Sequence, residues 1–418
     1  MAAMRSHRRT PSRKSAWRAL SAAALAGTLA LLTACGSDSP AASWNDGKNE
    51  GGGQQQQQQE DSGPKQGGTV TSPAADAKDV PASTPIAFTL ENASNPTVEL
   101  KSASGESVKG AMQEDGKSWL PEGALDYGTK YTATVNATGA DGKPTSNSSS
   151  FTTMAKPSKV VRVSSFLGEN QVVGVGMPII VQFGRAVPKD YRDDVQARLS
   201  VQSTPEQEGI WHWISPTEVH YRPKTYWQSG TKISYKMQTG GLPMGDGYYG
   251  RADVSVEIKI GPSFIMTVDN KTKKMTVTKD GKVIKTIPVS LGKPSTPSSS
   301  GTMVVIEKQR KTVFDTMDDP NPANRYRTPI DFAQRLTWSG QFIHAAPWSE
   351  GKQGRVNVSH GCVNVSEAMG GWLFGQTRIG DVITVKNTEE KLENGNGWTD
   401  WNMSWDQYVK GSAIPYNG

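Results

Sequence analysis

The sequence predicts a mainly β protein, with two β-sandwiches in tandem followed by a third β-rich domain that carries one short helix and a C-terminal packing segment. Three observations predict it. From about Thr69 to Thr153 apolar and polar residues alternate between turn signals, as in YTATVNATGADGKP, where Tyr131, Ala133 and Val135 share one face and Asp141-Gly142 supplies a turn. The pattern then repeats. PIAFTLENA (85–93) is similar to PIIVQFGRA (178–186) at an offset of 93 residues, whereas WLP (119–121) with YRP (221–223), and GTKYTATV (128–135) with GTKISYKM (230–237), recur at an offset of 102. An insertion of nine residues accounts for the difference. Beyond Gly261-Pro262 the segments FIMTV, KMTVT and VIKTIPVS alternate again, the last two joined by an Asp280-Gly281 turn, which starts the third domain as a β-meander. Repetition at domain length, in short strands separated by turns, is the mark of two immunoglobulin-like sandwiches, placed at 69–155 and 156–260.

The N-terminal residues address the chain outside the cytoplasm. Residues 1–34 carry a basic head (Arg5, Arg8, Arg9, Arg13, Lys14, Arg18) and an apolar run from Ala19 to Leu32 that ends in small residues, the form of an export signal. Leu32-Thr33-Ala34-Cys35 resembles a bacterial lipobox, in which Cys35 becomes the lipidated first residue, so a protein anchored on the extracytoplasmic face of the cell membrane is expected. Residues 35–68, with the run Gln54–Gln59, are too polar to bury a core and read as a flexible tether. The 46 basic and 40 acidic residues of the whole chain become 40 and 40 once the six basic residues before Cys35 are set aside. No nucleic-acid partner is therefore indicated.

The third domain, 261–387, has two loop-rich stretches, GKPSTPSSSG (292–301) and DTMDDPNPANRYRTP (315–329), of the kind that form lids or binding loops. Ser366 offers an N-cap for a helix through SEAMGGWLFGQT, and Gly380-Asp381 leads into the strand VITVK. In the C-terminal segment, 388–418, Trp401, Trp405 and Tyr408 lie at i, i+4 and i+7, which predicts one helix face packed on the third domain.

Apart from Cys35 the chain has one cysteine, Cys362, so no intramolecular disulfide is expected and the thiol is either inert or kept for its reactivity. It lies in NVSHGCVNVS, two residues after His360 and eighteen after His344 of QFIHAAPW. Eighteen residues suffice to leave one strand and return on its neighbour. A histidine beside a thiol can take its proton and later deliver it to a leaving amine. The turn His360-Gly361-Cys362 can present backbone N–H groups to a developing oxyanion, because glycine tolerates the dihedrals required. One base suffices, which makes His344 the base and His360 a structural support. His344, His360 and Cys362 also have zinc-donor chemistry, but the His-x-Cys spacing is unusual for zinc and no carboxylate recurs with it, so no metal or cofactor is expected.

The span from His344-Ala345-Ala346-Pro347-Trp348 to Ser359-His360-Gly361-Cys362-Val363-Asn364 resembles the signature of the L,D-transpeptidases, and the paired sandwiches with a lipobox resemble their actinobacterial, mycobacterial-type members. The resemblance implies a YkuD-type catalytic domain over 261–387 that forms 3→3 peptidoglycan cross-links. Cys362 would attack the carbonyl before the terminal D-alanine of a tetrapeptide stem, with His344 as base and then acid. His360, Gly361 and Cys362 would supply the oxyanion hole, and Tyr326, Ser339, Gly340, Trp348, Ser359 and Asn364 would contact substrate. It further implies donor and acceptor stem peptides as partners and acylation by carbapenem-type β-lactams. Within 261–387, 17 Lys/Arg against 10 Asp/Glu would suit the anionic wall, although a solvated surface explains the excess equally well. The loop between Phe314 and Tyr326 is shorter than in the mycobacterial relatives, and one pocket aromatic of theirs has no clear counterpart. Some relatives bind calcium in the second sandwich; in LPMGDGYYG (242–250) Asp246 and Gly247 are kept but Pro243 stands where an acidic ligand would be. Two other readings are an L,D-carboxypeptidase, with water as acceptor, and a non-catalytic wall-binding scaffold.

Overall fold

The computed structural model describes residues 66–416 except 114, 319, 321, 323 and 324. The expected export signal, the expected lipidation site at Cys35 and nearly all of the expected tether lie outside the described residues. The first strand, Gly67–Ser72, begins two residues before the expected start of the first sandwich.

Each sandwich packs two sheets. In the first, one sheet orders Gly67–Ser72, Ile86–Glu91, Ser118–Pro121 and Gly110–Met112, and the other Ala77–Val80, Pro144–Thr153, Lys130–Gly139, Ala93–Ser102 and Ser107–Val108. In the second, the orders are Val163–Ser165, Ile179–Phe183, Glu218–Pro223, Gly209–Ser215 and Gln171–Val173, Val254–Ile260, Lys232–Met237, Leu199–Thr204. The three repeated sequence segments fall on equivalent strands. Each copy also pairs a short second strand parallel to its last one, Ala77–Val80 with Pro144–Thr153 and Gln171–Val173 with Val254–Ile260. Alternation has its expected cause: Tyr131, Ala133 and Val135 are all buried in the first core beside Trp119 and Phe151.

The third domain closes two sheets over a common core. A six-stranded sheet runs Lys282–Pro288, Lys274–Lys279, Phe264–Asp269, Val382–Lys386, Ser299–Val304, Glu390–Lys391, and a four-stranded sheet runs Glu307–Asp315, Arg327–Arg335, Phe342–Ala345, Val363–Val365. Met266, Val268, Met275, Ile343, Val363 and Leu373 pack between them. Asp280 and Gly281 both have positive φ, as a two-residue hairpin turn requires. The helix Glu367–Gln376 starts at Ser366, whose hydroxyl accepts the Met369 N–H at 3.3 Å.

The C-terminal segment corrects one expectation. It contains a short 3-10 turn, Asp400–Asn402, and a single helical turn, Trp405–Tyr408, and its aromatic residues pack chiefly on the second sandwich. Trp401 donates its indole N–H to Gly176 O at 2.7 Å and meets Tyr226 edge-on, while Tyr408 stacks on His212. Only its first part faces the third domain, where Thr302 N–H donates to Asn402 Oδ1. The reason is chemical: Arg222 of the second sandwich sits over the rings of Trp401, Trp405 and Tyr408 at 4.4, 5.3 and 4.3 Å, a cation–π cage.

Candidate active site

Two neighbouring strands bring the chemistry together. Phe342–Ala345 and Val363–Val365 run parallel, with Ile343 opposite Val363 and His344 opposite Asn364. Cys362 stands at the entrance to the second strand, so the eighteen-residue excursion returns beside its point of departure. A cavity of about 360 Å³ opens there, and Tyr326, His344, Trp348, Ser359, His360, Cys362 and Asn364 line it. A larger cleft of about 710 Å³ lies between the two sandwiches, but neither a histidine nor a cysteine faces it.

His344 is 4% exposed and donates its Nδ1–H to its neighbour's carbonyl, Ala345 O, at 2.8 Å. A carbonyl only accepts, so this bond fixes the neutral tautomer and leaves Nε2 as the nitrogen with a free lone pair. Burial pulls its pKa down to about 4, against the opposing pull of the Ala345 bond. The thiol of Cys362 is 6% exposed, packs against Ile330, Ala333 and Phe342, and points its Sγ at Gly340 O, 3.8 Å away. Burial pushes the thiol up to about 12, with Phe342 N–H and the charge of Arg335 opposing. The resting pair is therefore thiol and imidazole, both uncharged.

The nucleophile's turn is tied down by hydroxyls. Ser359 Oγ donates to Cys362 O at 2.7 Å and accepts the Gly361 N–H at 3.2 Å, and Ser298 Oγ donates to Gly361 O at 2.7 Å. Gly361 has φ +114, while the nearest atoms to an added Cβ are 3.7 Å away, so glycine is needed for the dihedral and not for space. The Ser359 contact corrects one expectation: with its N–H engaged by that hydroxyl, Gly361 does not direct a donor into the cavity. The loop 292–301 is also a buttress and not a lid, since Gly292 bridges Ser359 and Lys293 N–H donates to Ser359 O at 2.9 Å.

His360 stacks on Tyr326 with ring centres 5.1 Å apart, and its Nε2 accepts from Lys293 Nζ at 3.0 Å. Burial, then the Lys293 charge, lowers its pKa, so it is a neutral acceptor occupied by a lysine and not a free base. Trp348, 59% exposed, stacks on His344 at 6.0 Å and forms the rim. Asn364 donates its amide to Ser349 Oγ at 3.3 Å, leaving a buried Oδ1 without a partner among the described residues.

Ser339 is not on the cavity wall. Its hydroxyl meets Thr337 Oγ1 and accepts from Asn396 Nδ2, whereas Gly340 reaches the site through its carbonyl. Sequence reasoning missed Phe314, Thr328 and Ile330, which line the cavity. Phe314 lies opposite Thr328 across the hairpin and edge-on to His344 at 5.3 Å, so the pocket has an aromatic wall there. No alternation marked it: EKQRKTVFD (307–315) has two adjacent apolar residues, Val313 and Phe314, which a strand sends to opposite faces.

Comparison with known proteins gives the family. The profile of the L,D-transpeptidase catalytic domain matches residues 263–385, and one bacterial Ig domain profile spans 77–243, across both sandwiches. L,D-transpeptidase 2 of Mycobacterium tuberculosis is 34% identical over 333 residues, covering 79% of this chain and 81% of the relative. The chain belongs to the L,D-transpeptidase family. L,D-transpeptidase 5 of the same organism is 33% identical over 354 residues, with 82% of this chain and 76% of the relative covered. The solved structure of the LD transpeptidase LdtMt1 in complex with imipenem is 30% identical, covers 53% of this chain and 97% of that one, and has a TM-score of 0.46.

Proposed function

We propose that this L,D-transpeptidase joins peptidoglycan stems by 3→3 cross-links through a thioester on Cys362. The observation that carries the reading is His344 held as the Nδ1–H tautomer in the same cavity as the buried Cys362 thiol. Sγ bonds to the carbonyl carbon that joins the third residue of a tetrapeptide stem to its D-alanine, and His344 Nε2 takes the thiol proton. Backbone N–H groups of the His360–Cys362 turn face the oxyanion, with Gly361 N–H retained by Ser359. The C–N bond then breaks, the imidazolium gives its proton to the departing amine, and D-alanine leaves. A side-chain amine of a neighbouring stem attacks the thioester, loses a proton to His344, and restores the thiol as the new amide forms. A β-lactam would be opened by the first half of the same sequence, its ring amide taking the place of the scissile bond.

Incubation with a disaccharide tetrapeptide should give a cross-linked dimer and free D-alanine, read by mass spectrometry. Replacement Cys362→Ala should abolish both. Dimer made by that variant at the normal rate would overturn the reading, and a tripeptide product without dimer would replace it by hydrolysis. We also propose that the chain is held on the extracytoplasmic face of the membrane by lipid on Cys35, a reading supported by Leu32-Thr33-Ala34-Cys35. Palmitate labelling and detergent-phase partition should both be lost in Cys35→Ala; retention of label would exclude it.

A further inference from the structure

A carboxylate enters a site of this kind at a cost unless a cation meets it. The donor stem brings one: the D-alanine that leaves ends in a free carboxylate, its carbon about 2.5 Å from the nitrogen of the breaking bond. Among the described residues no lysine or arginine lines the cavity; its wall is aromatic, aliphatic or neutral and polar. Lys293 is fixed to that wall, its Nζ donating to Nε2 of the lining residue His360 at 3.0 Å, whereas Arg335, whose charge acts on Cys362, is engaged by Glu307.

Three features place Lys293 for a ligand and not for the fold. Its backbone is locked to the nucleophile's turn, because Lys293 N–H donates to Ser359 O at 2.9 Å and Ser298 bonds Gly361 O from the same loop. Among the described residues no carboxylate pairs with it. An ammonium has three N–H donors, and a neutral imidazole accepts one, which leaves two for an incoming anion.

We propose that Lys293, held on His360, binds the terminal carboxylate of the donor stem and so selects stems that end one residue beyond the scissile bond. This rests on the acyl-transfer reading above. A stem one residue longer moves its carboxylate by about 3.5 Å and puts an uncharged amide against the ammonium, so chain length is read as charge position. His360 is then a positioning residue, whose ring aims the lysine.

The test measures kcat/KM of the full chain, by D-alanine or D-alaninamide release, on a tetrapeptide donor with a free C-terminal carboxylate and on the same donor as its C-terminal amide. Wild-type protein should prefer the acid by about tenfold to a hundredfold, the span of one charge-assisted contact. In Lys293→Met that ratio should collapse toward one, mainly through KM on the acid donor, and Lys293→Arg should restore most of it. An unchanged ratio in Lys293→Met, including an equal fall on both donors, would overturn the assignment. No release from either donor by wild-type protein would instead overturn the acyl-transfer reading itself.

Discussion

At Cys362 and His344 the same physical cause, burial, acts in opposite directions. It lifts the thiol to about 12 and drops the imidazole to about 4. Both shifts disfavour a preformed thiolate–imidazolium pair, since burial penalises each charged form. Proton transfer must therefore accompany S–C bond formation, with the neutral imidazole acting as general base. The pH dependence follows from the signs. His344 is in its basic form well above pH 4, and the thiol stays protonated throughout the neutral range. Acylation of Cys362 should then be level within about twofold from roughly pH 6 to 8 and fall only as acid approaches the His344 value. His344→Gln should slow it by about 10²- to 10⁴-fold. A tenfold rise in rate per pH unit across that range, measured by single-turnover acylation, would show that free thiolate carries the reaction.

Strands, turns and loops differ in how openly the sequence declares them. Period-two alternation is local, and it was enough to find the repeat whose copies occupy equivalent sheet positions, from Ile86–Glu91 and Ile179–Phe183 to Lys130–Gly139 and Lys232–Met237. The nucleophile's surroundings were legible where a short motif forces them: the spacing of His344 and Cys362 closes onto adjacent strands, and Gly361 takes the positive φ expected of it. What escaped depends on contacts distant in sequence. Ser298 meets Gly361 across 63 residues, so the loop 292–301, rich in serine and proline like a lid, is instead a support. Ser339 was drawn into the site by its neighbour Gly340, yet its hydroxyl turns to Asn396, 57 residues on. The helical spacing of Trp401, Trp405 and Tyr408 showed that a face is buried, but spacing alone cannot name the surface that covers it.

That surface makes one body of the second sandwich and the third domain. Val304, Ile306, Val382 and Trp398 join the core of the second sandwich, and Gly174 and Gly176 donate to Ile379 O and Gly380 O at 2.8 and 2.9 Å. A Cβ on Gly174 would stand 2.2 Å from Asp381 N, so the backbones touch only because the side chain is absent. Across this seam His220, 1% exposed, donates to Asp400 Oδ1 at 2.9 Å and to Glu218 Oε1 at 3.0 Å, and Tyr408 donates to the same Asp400 oxygen. Burial alone would lower the pKa of His220, but Asp400 and then Glu218 outweigh it and raise it to about 9; Arg222 and His212 are the basic groups nearby. The folded state thus holds a proton that the unfolded chain gives up near pH 6.5. Stability from this group is complete below about pH 6.5 and is lost as pH climbs through 9, with a slope of at most about 1.4 kcal/mol per pH unit. Asp400 and Glu218 are held below their ordinary values, Asp400 against its burial by the charge of His220 and Glu218 by its bond to His220, so their share is lost only on the acid side. Calorimetric melting of the full chain should show Tm falling from pH 7 to 9, and His220→Gln should lower Tm at pH 7 and flatten that fall. A variant that kept the wild-type slope would place the titrating group elsewhere and leave the clamp between the C-terminal segment and the second sandwich to the Arg222 cage alone.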